Sequence, residues 1–343
     1  MATVLVTGSA GFIGYHVAER LLAEGMRVVG LDAMTDYYDV ALKQARIDRL
    51  KQQSGFVEVV GHVETPGLVR ELFETHKPTA VIHLAAQAGV RYSIENPRSY
   101  LEGNINGTFE ILEAARAVPP RHLLLASTSS AYGANTHMPY RETDRADHQM
   151  SFYAASKKAT EAMAHSYAHL FDLPVTMFRF FTVYGPWGRP DMAPIKFARA
   201  IFAGEPIDVY NQGNMRRDFT YIDDLVEAIR RLMDAVPERP KGEVAEGDSL
   251  SPVAPFRVVN IGNSQPVELL DFIAAMETAA GVPVHRNMMP MQPGDVPATW
   301  ADATLLKQLT GFQPDTDVAT GVARFIDWYR AYYLNAQTGD AVA

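Results

Sequence analysis

Tyr153 and Lys157 stand four residues apart in YAASK, a spacing that puts both side chains on one face of a helix. A phenol with an ordinary pKa near ~10 becomes a base close to neutrality only when its phenolate is stabilised, and a neighbouring ammonium group does that. The pair alone is weak evidence, because a chain with fifteen tyrosines is expected to hold about one such match by accident. The run VLVTGSAGFIGYHVAERLLAEG carries a second kind of chemistry. Its Gly8, Gly11 and Gly14 follow a strand-like segment and open an amphipathic helix. Gly8 permits a tight turn, Gly11 lets the backbone approach a pyrophosphate, and Gly14 allows close helix–strand packing. Free N–H groups where the helix begins, at Phe12 and Ile13, face the anion together with the positive end of the helix dipole. Asp32 ends the next strand, eighteen residues beyond Gly14. A carboxylate there accepts ribose hydroxyls and repels a 2′-phosphate, which favours NAD over NADP.

The composition sets limits on this chemistry. In 343 residues, 31 basic side chains face 40 acidic ones for a net charge of −9, which argues against nucleic acid as a partner. An anionic ligand must be held by a few placed cations or backbone N–H groups. Cysteine is absent, so disulfides, thiolate nucleophiles, Fe–S clusters and the common zinc sites are excluded, and electron transfer requires an organic cofactor. His165 and His169 have the spacing of a helical metal pair, but no Glu follows His165 and no third ligand suggests itself, so no metal is expected. No signal-like or membrane-length apolar run is seen, and a cytoplasmic location with no membrane association is expected.

Alternating strands and helices must position these groups. Strands are predicted at Thr3–Val6, Arg27–Leu31, Phe56–Val60, Ala80–His83, Arg121–Ala126 and Val175–Arg179. Helical patterns fill the gaps at Phe12–Glu24, Leu42–Lys51, Leu68–His76, Arg98–Ala117 and Tyr153–Leu170. The predicted fold is α/β, a Rossmann-type doubly wound parallel sheet with a smaller C-terminal α/β lobe. Residues 1–180 are read as the NAD-binding domain carrying Tyr153 and Lys157. Residues 181–334 are read mainly as a substrate lobe, with segments able to return to the first domain, and 335–343 as a flexible tail. Helices near Lys196–Ala203, Asp224–Asp234, Leu269–Ala279 and Ala319–Tyr332 belong to the second half, and the Pro-rich stretch Pro237–Pro255 reads as a surface loop.

With the glycine turn, HLAAQAG, ASTSSAYG and YAASK in this order, the sequence resembles the extended short-chain dehydrogenase/reductase family. The resemblance implies that Thr128, Tyr153 and Lys157 are catalytic. It also implies that Leu84, Ala85 and Ala86 line the nicotinamide side and that Lys43 stands near the adenosine. Where the family usually places an Asp-hydrophobic pair against the adenine, this chain has His62-Val63, so an imidazole nitrogen or the Val63 backbone takes that role. Related dehydratases carry Asp-Glu after the catalytic Thr, whereas Ser129-Ser130 here can hydrogen-bond a carboxylate without repelling it.

Four further segments, DYYDVALKQAR, RFFTVYGPWGRPDMA, PIDVYNQGNMRRDFTYIDD and QPGDVPATWAD, are similar to those of bacterial and plant UDP-glucuronate 4-epimerases. This implies NAD-dependent interconversion of UDP-glucuronate and UDP-galacturonate through a 4-keto sugar. By position, Arg217 would meet the diphosphate, Tyr210 would stack on uracil beside Asp208, and Asp295 would accept a uridine hydroxyl. Gln292 stands where related epimerases often have Arg. Thr182, with Ser129 and Ser130, would cradle the sugar carboxylate, and Arg189 would flank the sugar or the nucleotide. The helices containing Tyr153 and Arg98–Ala117 would form a homodimer interface. A neutral UDP-sugar epimerase, a UDP-glucuronate decarboxylase and a non-catalytic NAD-binding regulator are the alternatives, the last disfavoured because Tyr153 and Lys157 are both present.

Overall fold

The structure, a computed structural model, describes residues 2–292 and 296–335. It begins with β1 (Thr3–Thr7), α1 (Phe12–Ala23), β2 (Arg27–Asp32), α2 (Val40–Lys51), β3 (Phe56–Val60), α3 (Leu68–His76) and β4 (Ala80–His83). These follow the predicted alternation closely, because each strand is an apolar run and each helix has one apolar face. The expected single helix over Arg98–Ala117 is instead broken. Short helices α4 (Tyr92–Glu95) and α5 (Pro97–Tyr100) lead through a π-helical turn, Leu101–Asn106, into α6 (Gly107–Ala117). Asn104 sits in that turn, buried, with its amide donating to Gln87 O and Ser156 Oγ and its oxygen accepting from Gln87 N. Such π-helical turns inside helices are rare and recur at functional sites.

The chain continues through β5 (His122–Ala126), α7 (Phe152–Phe171), β6 (Val175–Phe180), β7 (Thr182–Tyr184), α8 (Ala193–Ala203), β8 (Ile207–Val209), β9 (Arg216–Tyr221) and α9 (Ile222–Leu232). After the Pro-rich stretch come β10 (Phe256–Ile261), β11 (Pro266–Glu268), α10 (Leu269–Ala280), β12 (Arg286–Met288), β13 (Ala298–Thr299), α11 (Thr304–Thr310) and α12 (Val318–Tyr329). The final predicted helix to Tyr332 stops being α-helical at Tyr329 and passes into a π-helical turn, Arg330–Leu334.

Seven parallel strands form the central sheet in the order β10-β6-β5-β4-β1-β2-β3. The chain reverses its direction of travel across the sheet on either side of β1, and β1 and β4 therefore diverge at their C-terminal ends into a crevice, the place where open α/β sheets bind ligands. The seventh strand was not foreseen. FRVVNI is buried at all six positions and pairs with β6 from Phe256↔Val175 to Ile261↔Phe180, so part of the second half completes the first-half sheet. Helix α9 likewise packs on α1.

The remaining strands form two small sheets. Strand β9 is flanked by β11, β7 and β13, while β8 pairs with β12. The buried Asp218 carboxylate organises the first of these by accepting the backbone N–H groups of Asn263, Ser264 and Ala301. No helix among the described residues is long and apolar enough to cross a membrane.

Candidate active site

A cleft of about 680 Å³ opens at the crevice between β1 and β4. Gly8 has φ +73°, a conformation that strains any residue with a side chain, and its N–H donates to Leu31 O at 2.7 Å. A Cβ on Gly14 would lie 2.0 Å from Gly8 O, and one on Gly8 itself 2.9 Å from Ala85 N. The turn therefore brings bare backbone and the start of α1, at Phe12 and Ile13, to the cleft wall. Opposite, Thr7 Oγ1 accepts the N–H groups of Leu84 and Ala85 at 3.2 and 3.1 Å, which holds the Leu84–Ala86 segment in place.

Asp32 stands at the end of β2, where its two oxygens accept Ala10 N at 3.0 Å and Met34 N at 2.8 Å. Each oxygen retains a lone pair for a ribose hydroxyl. Lys43 Nζ donates to Thr35 O and Oγ1, and burial lowers its pKa. His62 and Val63 both line the cleft, but the imidazole Nδ1 lies 3.0 Å from Glu64 Oε1, leaving Nε2 and the Val63 backbone for an adenine. A bare glycine turn, a helix N-terminus and a hydroxyl-accepting carboxylate at one crevice fit a dinucleotide.

Ser151 caps α7 by accepting Ala154 N, and this sets Tyr153 and Lys157 in the first turns with both side chains in the cleft. Burial raises the Tyr153 pKa above the usual phenol value, while a hydrogen bond with Thr128 and the charge of Arg189 pull it back. Thr128 is placed by the end of β5 and receives Ser130 N at its hydroxyl. Lys157 is buried, donates to Ala126 O at 3.0 Å, and is brought down to about 8 by desolvation, against which the Glu161 charge acts.

Ser129, Ser130, Thr182, Arg189 and Arg217 line the same cleft. Arg189 is held in two-pronged contact with Asp191, Nε to Oδ1 at 3.0 Å and Nη2 to Oδ2 at 2.6 Å. Arg217 reaches across to the carbonyls of Val296 and Pro297. Asp208 and Tyr210 are not brought into this lining: Asp208 accepts from Asn287 on the β8–β12 ribbon, and the Arg91 guanidinium lies 5.5 Å from the Tyr210 ring centre. Asp295 lies outside the described residues. His165 and His169 bond Ser251 Oγ and Val253 O, so they secure the Pro-rich stretch.

Two contributors were not read from the sequence. Asn104 braces Gln87 against Ser156 on the helix that bears Tyr153 and Lys157. One turn beyond Lys157, Glu161 forms a buried cluster with Arg179 and Ser127. Only the distant placement of their partners reveals these roles.

The chain matches the NAD dependent epimerase/dehydratase family over residues 4–246. It belongs to that family. A protein of Rhizobium meliloti (strain 1021) named "Probable UDP-glucuronate 4-epimerase" is 55% identical over 97% of this chain and 98% of its own length. UDP-glucuronate 4-epimerase 2 of Arabidopsis thaliana is 44% identical, over 99% of this chain and 78% of its own length. Among solved structures, the UDP-glucuronic acid 4-epimerase of Bacillus cereus, in complex with UDP-glucuronic acid and NAD, superposes with a TM-score of 0.86 at 29% identity. That match covers 96% of this epimerase-family chain and all of the other.

Proposed function

We propose that this protein is an NAD-dependent isomerase that inverts C4 of UDP-glucuronate to give UDP-galacturonate, reversibly and through a 4-keto sugar. The observation that carries the reading is the meeting of Tyr153, Lys157 and Thr128 with Ser129, Ser130 and Thr182 in one cleft that also holds the glycine turn. Similarity to UDP-glucuronate 4-epimerases over 97% and 99% of this chain supports the same substrate.

Bound NAD would supply the acceptor for the C4 hydride and return it, with Gly8, Gly11, Phe12, Ile13, Gly14 and Asp32 holding the dinucleotide and Leu84–Ala86 bordering the nicotinamide. In this reading Tyr153 takes the proton of the C4 hydroxyl and gives it back, Thr128 orients that hydroxyl, and the Lys157 ammonium favours the phenolate. Arg217 binds the diphosphate while the hexose turns over. Asp208, Tyr210 and Asp295 would complete the nucleotide contacts. The 4-keto intermediate is a β-keto acid, prone to lose CO₂ when its carboxylate C–C bond aligns with the ketone π system. Hydrogen bonds from Ser129, Ser130 and Thr182 hold the carboxylate out of that alignment, which favours the epimerase over the decarboxylase.

The division of labour follows the chain: residues 1–180 carry cofactor and catalytic groups, and the rest supplies substrate contacts while returning β10 to the main sheet. A homodimer through α6 and α7 is supported by exposed Phe109, Phe152, Leu170 and Phe171 on those helices. A cytoplasmic location suits a reaction that draws on NAD and a nucleotide sugar. Incubation of the purified protein with UDP-glucuronate, without added reductant, tests the assignment by NMR of the product. UDP-galacturonate is expected; a UDP-pentose, or no conversion, would refute it.

A further inference from the structure

Arg46 on α2 is fully buried, and among the described residues no carboxylate pairs with it. A buried charge survives only where dipoles surround it. Four oxygens do so here. Nη1 donates to Ala10 O at 2.8 Å and Tyr38 Oη at 2.9 Å, and Nη2 to Trp187 O at 2.6 Å and Gly188 O at 3.1 Å. One guanidinium thus joins the glycine turn to the segment just before Arg189.

The adjoining carbonyl is held as well. His16 Nε2 lies 2.9 Å from Pro186 O, and since a carbonyl only accepts, that nitrogen carries the proton. Three successive carbonyls, Pro186 to Gly188, are therefore bound by side chains of α1 and α2. Between them Trp187 has φ +60°, a left-handed conformation that an aromatic residue adopts only when its surroundings impose it. Asp191, which receives the Arg189 fork, also accepts Tyr37 Oη at 3.3 Å.

At the other end, Ala10 gives its N–H to Asp32 and its carbonyl to Arg46. The path Asp32, Ala10, Arg46, Trp187–Gly188, Arg189 is continuous through hydrogen bonds and chain. We infer that Arg46, seconded by His16, is a positioning residue that fixes the 186–191 loop on the dinucleotide turn and so sets Arg189 for the substrate. This rests on the reading of Arg189 as a UDP-sugar contact. A guanidinium is required because its planar fork reaches carbonyls on opposite sides at once, which an ammonium on a Lys stem does not.

The test is a double-mutant cycle on the dissociation constant of UDP-glucuronate, measured by calorimetry on the NAD-loaded protein. Arg46→Lys is expected to weaken binding about tenfold in the parent but less than about twofold in an Arg189→Ala background, because its effect passes through Arg189. His16→Gln should show the same dependence with a smaller loss, about threefold, and serves if Arg46→Lys does not give a cooperatively unfolding protein. Equal losses in both backgrounds, or none in the parent, would overturn the inference. A parent that binds UDP-glucuronate with this coupling yet does not convert it would refute the proposed activity alone.

Discussion

Arg179 on β6 holds Glu161 through two parallel hydrogen bonds, Nε to Oε1 at 2.9 Å and Nη2 to Oε2 at 2.8 Å, both side chains buried and Glu161 one helical turn from Lys157. Ser127, beside Thr128, donates to the same carboxylate at 2.6 Å. The pair thus links the strand end that bears Thr128 to the helix that bears Tyr153 and Lys157. Removing one partner of a buried pair leaves an uncompensated charge, so Arg179→Met is expected to cost about 3–5 kcal/mol in urea-induced unfolding.

Acid should release the same pair. Burial alone would raise the Glu161 carboxyl, but the hydrogen bonds and charge of Arg179, with Lys158 and Ser127, bring it down to about 2. A depressed carboxyl pKa contributes stability that is complete above the unfolded value of ~4.3 and is lost as pH falls through the folded value. Thermal unfolding followed from pH 6 down should lose this contribution between about pH 4.5 and 2, and a Glu161→Gln variant should show a flatter decline over that window.

Activity is expected to fall on the alkaline side as Lys157, with its pKa near 8, gives up its proton and ceases to favour the phenolate. The Glu161 charge holds that value up, so Glu161→Gln should move the alkaline limb to lower pH. A limb that stays in place in the variant's pH–rate profile would separate Glu161 from the charge state of Lys157. Tyr153→Phe should remove turnover by about a thousandfold or more while leaving NAD bound, read by absorbance of the extracted cofactor.

Much of this site was legible in the sequence because its spacing is local. The glycine turn, Asp32 and the Tyr153–Lys157 pair each depend on one strand–turn–helix unit, and the structure gathers them at one crevice. Arg46 was not legible, since its acceptors lie 36 and 142 residues away at Ala10 and Gly188. The strand FRVVNI follows an irregular Pro-rich stretch, and only its pairing with β6 makes it part of the main sheet. The π-helical turn depends on Asn104 meeting Ser156 across 52 residues. Asp208, carried over by position, sits on a separate two-stranded ribbon and Tyr210 in the turn that follows it, both outside the cleft lining.

In the proposed reading cofactor choice turns on Asp32, whose oxygens also secure Ala10 and Met34. Asp32→Ser should weaken NAD binding about tenfold, by losing both a ribose contact and the support of the turn, and should narrow the preference over NADP. Titration of both dinucleotides with the apoprotein checks this; an unchanged NAD affinity would contradict it.

Control of the carboxylate should depend on Thr182 and Ser130. Thr182→Val removes a hydroxyl from the cleft at nearly constant volume and is expected to release UDP-4-keto-pentose at several-fold above the parent's level, measured by chromatography of the spent reaction. The same substitution should leave a neutral UDP-sugar bound no less tightly.

The central claim is that one hydrogen leaves C4 and returns to the other face of the same carbon. UDP-glucuronate deuterated at C4 tests it directly, with the product followed by proton and deuterium NMR in ordinary water. UDP-galacturonate retaining deuterium at C4 is the predicted result. UDP-galacturonate with protium at C4, or a product that has lost CO₂, would contradict the account.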